Sequence, residues 1–153
     1  MLSISTTMKI ISYWLPFYGA GIKVASYNLD QGQIKVSLRR KWGNGNGFGT
    51  HFGGSLFSMC DPWYVFLAIH HLGSGYIVWD LSADIEFIKA VKEPVFADFR
   101  FTKEDAEEAI KKTQNGDKYC PEFDCEIRTK SGELVAKVKK RVYIRKKRPK
   151  VAS

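Results

Sequence analysis

The stretch Asn46-Gly47-Phe48-Gly49-Thr50-His51-Phe52-Gly53-Gly54-Ser55-Leu56-Phe57-Ser58-Met59-Cys60-Asp61-Pro62-Trp63-Tyr64-Val65-Phe66-Leu67-Ala68-Ile69-His70-His71-Leu72 decides how this chain is read. Its first part closes a loop punctuated by Gly43, Gly45, Gly47 and Gly49, a density of glycine that rules out regular structure. From Gly53 onward nearly every residue is apolar, and a helix greasy on all sides must be surrounded, as when a curved sheet wraps around it. A single carboxylate, Asp61, stands in those apolar surroundings and demands a reason. Pro62 either kinks one long helix or marks a helix start, with Asp61 as N-cap and Pro62 at the first helical position. Glycines followed by Ser55 also make a plausible start, so the pattern predicts the long kinked helix.

Strand signals lie on both sides of that helix. Ile22 to Leu29, the turn Asp30-Gln31-Gly32-Gln33, and Ile34, Val36 and Leu38 alternating with Lys35, Ser37 and Arg39 predict a β-hairpin with one wet face. Before it, Pro16 limits any helix in the apolar N-terminal segment to a short one. After the helix, Tyr76 to Val91 is rich in β-formers, and Val95, Ala97, Phe99 and Phe101 alternate with polar neighbours. Thr102 caps a polar helix, Lys103 to Gln114, with acids early and lysines late, as the helix dipole prefers. Tyr119 to Thr129, a turn at Lys130-Ser131-Gly132-Glu133, and Leu134 to Arg145 form a closing hairpin. Its last strand carries Leu134, Ala136, Val138, Val142 and Ile144 in one phase, with Lys140 the one charge among them. Hairpin, buried helix and a run of antiparallel strands make an α+β arrangement, a single curled antiparallel sheet wrapped around one long apolar helix.

At 153 residues, with 44% hydrophobic and 14% aromatic composition, the chain fits one packed domain. No apolar run reaches the ~20 residues of a membrane span. The first residues lack a basic n-region and a small-residue cleavage site, so no secretory signal is expected. Cys60, Cys120 and Cys125 are odd in number and lack C-x-x-C spacing, which favours reduced thiols in a cytoplasmic protein. The net charge of +8 gathers at Lys137, Lys139, Lys140, Arg141, Arg145, Lys146, Lys147, Arg148 and Lys150. That cluster reads either as a solvated strand face with a basic tail, or as an attractor of polyanions such as nucleic acid or the phosphates of a nucleotide-like carrier. No aromatic recognition motif is interleaved with the charge, so nucleic-acid binding is not expected.

With these residues in place the chain resembles the hotdog-fold acyl-CoA thioesterase superfamily over about Ile22 to Arg145, and most resembles a branch with a GTxFGGSLxxMxDP core. The resemblance implies a hotdog domain at 22–145, preceded by an apolar segment with a short helix at 1–21 and followed by a basic tail at 146–153. It implies hydrolysis of acyl-CoA or related thioesters by a homodimer or homotetramer, with no cofactor. Phenylacetyl-CoA-type members carry N-x-x-G-x-x-H-G-G followed by a helix aspartate seven residues on, and Asn46, Gly49, Gly53, Gly54 and Asp61 fall at those spacings. By that likeness Asp61 is base or nucleophile, Asn46 places the reacting group, and the amide of Gly53 or Gly54 binds the thioester oxygen. Helix N-terminal amides suit that task, since they lack intrahelical partners and sit in the positive end of the dipole.

The chain departs from the motif where the histidine is replaced by Phe52, with His51 one residue earlier, and where Pro62 follows the aspartate. Those departures motivate the alternative of a non-enzymatic acyl-CoA or lipid-binding protein. His51, Phe52, Phe57, Trp63, Tyr64 and Trp79 are candidates to line the acyl site, with core or subunit interface as the other reading for the large aromatics. Lys89, Arg141 and Arg145 are candidates for the carrier phosphates. Asp61 also reads as a mere N-cap, and Cys60 as an inert core thiol. His51, His70 and His71 lack partners at metal spacing, so no metal is expected. The residue five after Asp61 is Phe66, which disfavours the D-x-x-x-x-H hydratase pair.

Overall fold

The computed structural model describes residues 3–148, so the end of the basic tail, with Lys150, lies outside the described residues. Helices α1 (Ile4–Ile10) and α2 (Leu15–Ala20), joined by a 3-10 turn, precede β1 (Ile22–Asn28) and β2 (Gln33–Leu38). Then come α3 (Gly53–Ser58), α4 (Trp63–Leu72), β3 (Tyr76–Phe87), β4 (Val95–Arg100), α5 (Lys103–Thr113), β5 (Lys118–Tyr119), β6 (Glu122–Thr129) and β7 (Leu134–Lys146). All pairings are antiparallel, and the strands run in the order β1-β2-β4-β6-β7-β3, with β5 on β7. The α+β expectation therefore holds.

Alternation decides which face meets the helix. Ile34, Val36 and Leu38 of β2, Val95, Ala97 and Phe99 of β4, Cys125 and Ile127 of β6, and Val138, Val142 and Ile144 of β7 are buried. Register aligns them across strands, as in Val36 opposite Ala97, Ala97 opposite Ile127 and Cys125 opposite Val138. Trp63, Leu67 and Ala68 of α4 are fully buried among them, so the helix without a polar face is surrounded as its composition requires. At the hairpin, Gly32 adopts φ +64°, and a Cβ there would stand 1.9 Å from the carbonyl oxygen of Phe101.

The long helix is interrupted at Pro62, where its kink was expected, and the interruption is a full break. The helical segment spans Gly53 to Leu72 but breaks between Met59 and Pro62, and the Asp61-Pro62 peptide is cis. Pro62 has no N–H to offer Ser58, and the amides of Cys60 and Asp61 instead make short-range bonds to Phe57 and Ser58 oxygens. The Ser58 hydroxyl also donates back to the Gly54 carbonyl. Asp61 is not the N-cap of α4; Pro62 occupies that position. The carboxylate thus sits in the link between two helices, its side chain free to turn towards the sheet.

Helix α5 opens on a full capping box: the Thr102 hydroxyl accepts from the Asp105 amide while the Asp105 carboxylate accepts from the Thr102 amide. Thr102→Ala is expected to cost about 1 kcal/mol and lower Tm by roughly 3 °C, read from a thermal melt. A loss below 1 °C would mean that the Asp105 half of the box holds the turn unaided.

Candidate functional site

The Asp61 carboxylate meets two residues far away in sequence. Lys140 Nζ lies 3.1 Å from an Asp61 oxygen and 3.1 Å from Asp80 Oδ1, with side-chain exposures of 5% for Lys140, 54% for Asp61 and 21% for Asp80. Only the bond to Asp61 is aligned as a hydrogen bond; Asp80 Oδ1 is an ion-pair partner by distance and has no hydrogen-bond donor of its own. The lysine in the apolar phase of β7 therefore points inward, beneath a carboxylate from the helix link and another from β3.

A β-bulge aims Asp80. Asp80 pairs with Val142 and Ser82 with Arg141, so Leu81 is the extra residue, and alternation along β3 reverses there. Val78 and Asp80 face inward before the bulge, while Ala83 and Ile85 do so after it. Burial raises the Asp80 carboxyl to about 7, helped by the neighbouring Asp61 carboxyl and opposed by the Lys140 ammonium. Burial pushes Asp61 up as well, but the adjoining Asp80 carboxyl and the Lys140 charge outweigh it and hold Asp61 below the ordinary carboxylate value. The two carboxyls thus differ in basicity within one cluster.

Gly53 and Gly54 open helix α3, with Phe52 as its N-cap residue. Aromatic rings lie close over both: a Cβ on Gly53 would meet the Phe87 ring at 3.1 Å, and one on Gly54 the Phe52 ring at 2.3 Å. Phe52 and Phe57 remain exposed. A pocket of about 400 Å³ beside them is lined by Gly45, Phe52, Gly54, Ser55 and Ser58 together with the end of α2. A larger one, about 800 Å³, lies between Phe96 and Asp98 of β4 and Asp124 to Thr129 of β6 and does not include Asp61.

Several candidate residues have local tasks. Asn46 Nδ2 donates to the Thr50 hydroxyl and the His51 carbonyl, and its Oδ1 accepts from the Phe48 and Thr50 amides, so its polar atoms organise the glycine loop. Buried His51 bonds through Nε2 to the Glu93 carbonyl at 2.8 Å, which makes that nitrogen the protonated one, and its amide donates to the Val91 carbonyl. His51 ties the loop down rather than facing a pocket. Trp63 and Tyr64 fill the core, the Trp63 indole donating to the Met59 carbonyl at 2.6 Å and the Tyr64 hydroxyl to the Asp124 carbonyl at 3.1 Å.

Trp79 stacks on Tyr143 at 4.3 Å, and Arg141 pairs with Glu122. Register places Trp79, Arg141 and Arg145 on the outer face of the sheet, opposite to Asp61, and Arg145 Nε donates to the Gly116 carbonyl. Lys89 pairs with Glu133 two residues after Phe87, hence close to the start of α3. The Cys60 thiol is pushed well up by the neighbouring Cys125 thiol and by burial, against the ionisation that a nucleophile needs. Among the described residues no group of three or more His, Cys, Asp and Glu could hold a metal ion, and no helix is long and apolar enough to cross a membrane.

Sequence reasoning missed Asp80. The signal for Lys140 was present, a charge inside an apolar phase, but its partners lie 60 and 79 residues away and depend on the bulge.

The profile of a family described as a domain of unknown function (DUF4442) matches residues 5–144. None of the curated proteins matches. Among solved structures the chain is similar to a protein of unknown function from Pseudomonas aeruginosa called a probable thioesterase, at 16% identity over 95% of this chain and 97% of that one, TM-score 0.82. A thioesterase from Haemophilus influenzae matches at 14% identity over 92% and 91%, TM-score 0.66. A hypothetical thioesterase protein with coenzyme A from Streptococcus pneumoniae matches at 17% identity over 91% and 98%, TM-score 0.58. At such identities the likeness is one of fold, and that fold is the hotdog fold.

Proposed function

The chain belongs to the DUF4442 family, and on that footing we propose that it hydrolyses acyl-CoA or related thioesters, with Asp61 as the base or nucleophile. The observation that carries the reading is Asp61 itself: a half-exposed carboxylate, turned out of the helix by the break at Pro62 and kept ionised by Lys140. An ionised carboxylate takes a proton from water as the water attacks the thioester carbonyl, and the C–S bond then breaks to release the thiol. Names of the similar structures, one of them solved with coenzyme A, support the class of reaction.

The oxyanion donors in this reading are the Gly53 and Gly54 amides at the start of α3. Gly53 opens α3 and Asp61 lies in the link beyond its end, and the six residues of α3 alone rise roughly 9 Å, so the two are not placed to act on one carbonyl. The site is therefore completed by a second copy, the glycines of one chain facing the aspartate of the other. Strand β3 supports such pairing, because it is an edge strand of 12 residues with Trp79, Leu81 and Phe87 exposed. Phe52 and Phe57 line the acyl side and Lys89 the carrier phosphates; Asn46 and His51 shape the loop; the protein acts in the cytoplasm.

The test is free-thiol release from a panel of short, long and aromatic acyl-CoAs, with light scattering for mass. Turnover by a dimer or tetramer is expected. Acyl-CoA binding without thiol release would instead make this a carrier, and a monomer with full turnover would remove the second copy from the site.

A further inference from the structure

We propose that Lys140 and Asp80 are positioning residues for Asp61: the Lys140 ammonium fixes the Asp61 carboxylate, and Asp80 holds a proton that the two carboxyls share. The proposal rests on Asp61 being the reacting carboxylate. Its basis is geometric. One ammonium stands 3.1 Å from each of two carboxyl groups, so with both ionised one negative charge is left without a counter-charge in a partly buried cluster. Two carboxyls that share one ammonium titrate as a pair, and the first proton to bind goes to the more enclosed member. That member is Asp80, with less than half the exposure of Asp61.

Nothing in the packing of β7 calls for a lysine at position 140. Its cross-strand neighbours are Phe123 and Ala83, and the rest of its phase is apolar. An apolar side chain in that row would avoid the cost of burying an ammonium. The bulge at Leu81, which brings Asp80 to the same face, is the second half of the same device. Protonated Asp80 donates to the Asp61 carboxylate from the β3 side while Lys140 donates from β7, so Asp61 is held between two donors with its remaining lone pairs towards solvent. The opposed directions of the two carboxyl pKa values agree with this division. The other titratable groups facing the cluster are the Cys60 thiol from the helix link and the Cys125 thiol from β6; Cys60 is held protonated.

Hydrolysis needs ionised Asp61, so the rate falls as pH drops through its pKa. Removing Lys140 raises that pKa and moves the acid limb to higher pH, by about one to three units for a charge at this distance.

The first measurement is a carbon-13 titration of the aspartate carboxyls of the full chain without substrate. One carboxyl titrating near neutral pH is expected; it disappears in Asp80→Asn and moves to lower pH in Asp61→Asn. The second is the pH profile of kcat/KM: Lys140→Met shifts the acid limb up, Asp80→Leu does so to a lesser extent, and Asp80→Asn, a neutral donor at all pH, leaves that limb in place. A structural role alone would change Tm and leave these limbs unmoved. Absence of a near-neutral carboxyl, or one indifferent to Asp61→Asn, overturns the proposal even if Lys140→Met fails to fold. If the titration is as expected and the wild type releases no thiol, the coupling stands and the thioesterase reading falls.

Discussion

Replacing Asp61 with Asn lowers thioester turnover by about a thousandfold or more, while Tm stays within a few degrees of wild type. The magnitude is that of losing a positioned general base, typically ~10²–10⁴-fold, with the upper part of the range if Asp61 is the nucleophile. Asparagine has nearly the same shape and keeps a carbonyl oxygen for the Lys140 ammonium, but it takes no proton from water. Stability is spared for two reasons. The Asp61 side chain is 54% exposed, so its removal opens no cavity. Lys140 also retains Asp80 at 3.1 Å, and the remaining pair is electrically balanced. Thiol release with a matched thermal melt decides the matter: an unchanged rate removes Asp61 from the chemistry, and a collapse of Tm would show the cluster to be chiefly structural.

Trp63→Ala has the largest expected effect on stability, about 3–5 kcal/mol, or a Tm lowered by roughly 6–20 °C. Trp63 is fully buried, with ring contacts to Phe17 at 5.5 Å, Phe66 at 6.3 Å and Phe99 at 6.2 Å, so it joins α2, α4 and β4. Its indole N–H also serves the helix break. In an unbroken helix the Met59 carbonyl would accept from the Trp63 amide; here it accepts from the Trp63 side chain instead. Alanine therefore leaves both a cavity and a buried carbonyl without a donor. Phenylalanine, which restores much of the volume and none of the hydrogen bond, should recover part of the loss. If Tm held and KM alone rose, Trp63 would belong to the acyl site and not to the core.

Both results bear on how legible this protein is. The hairpin of β1 and β2, the alternation of β4 and β7 and the cap at Thr102 are local patterns, and each falls where its residues predict. Helix α4 buries Trp63, Tyr64, Leu67, Ala68 and Leu72, as a helix without a polar face must. The break at Met59–Pro62 was half legible: proline announces an interruption, but the choice among kink, cap and link depends on what the freed groups meet. Asn46 and His51 illustrate a different limit. Their residue types suit chemistry, yet their hydrogen bonds go to Thr50, Phe48, Val91 and Glu93, and only the folded loop reveals that their polar atoms are already engaged.

By itself the sequence determined the element order, the buried helix, the glycine loop and the presence of one carboxylate near a helix start, because these rest on periodicity and on interactions within a few residues. Tertiary structure alone decided what surrounds that carboxylate. Strand order placed β7 between β6 and β3, a one-residue bulge at Leu81 turned Asp80 inward, and the helix break turned Asp61 towards both. A one-residue shift in register reverses every side chain beyond it, and no local pattern records such a shift. Lys140 stood out as a charge where an apolar residue was due; the two carboxylates that explain it come together only when the sheet closes.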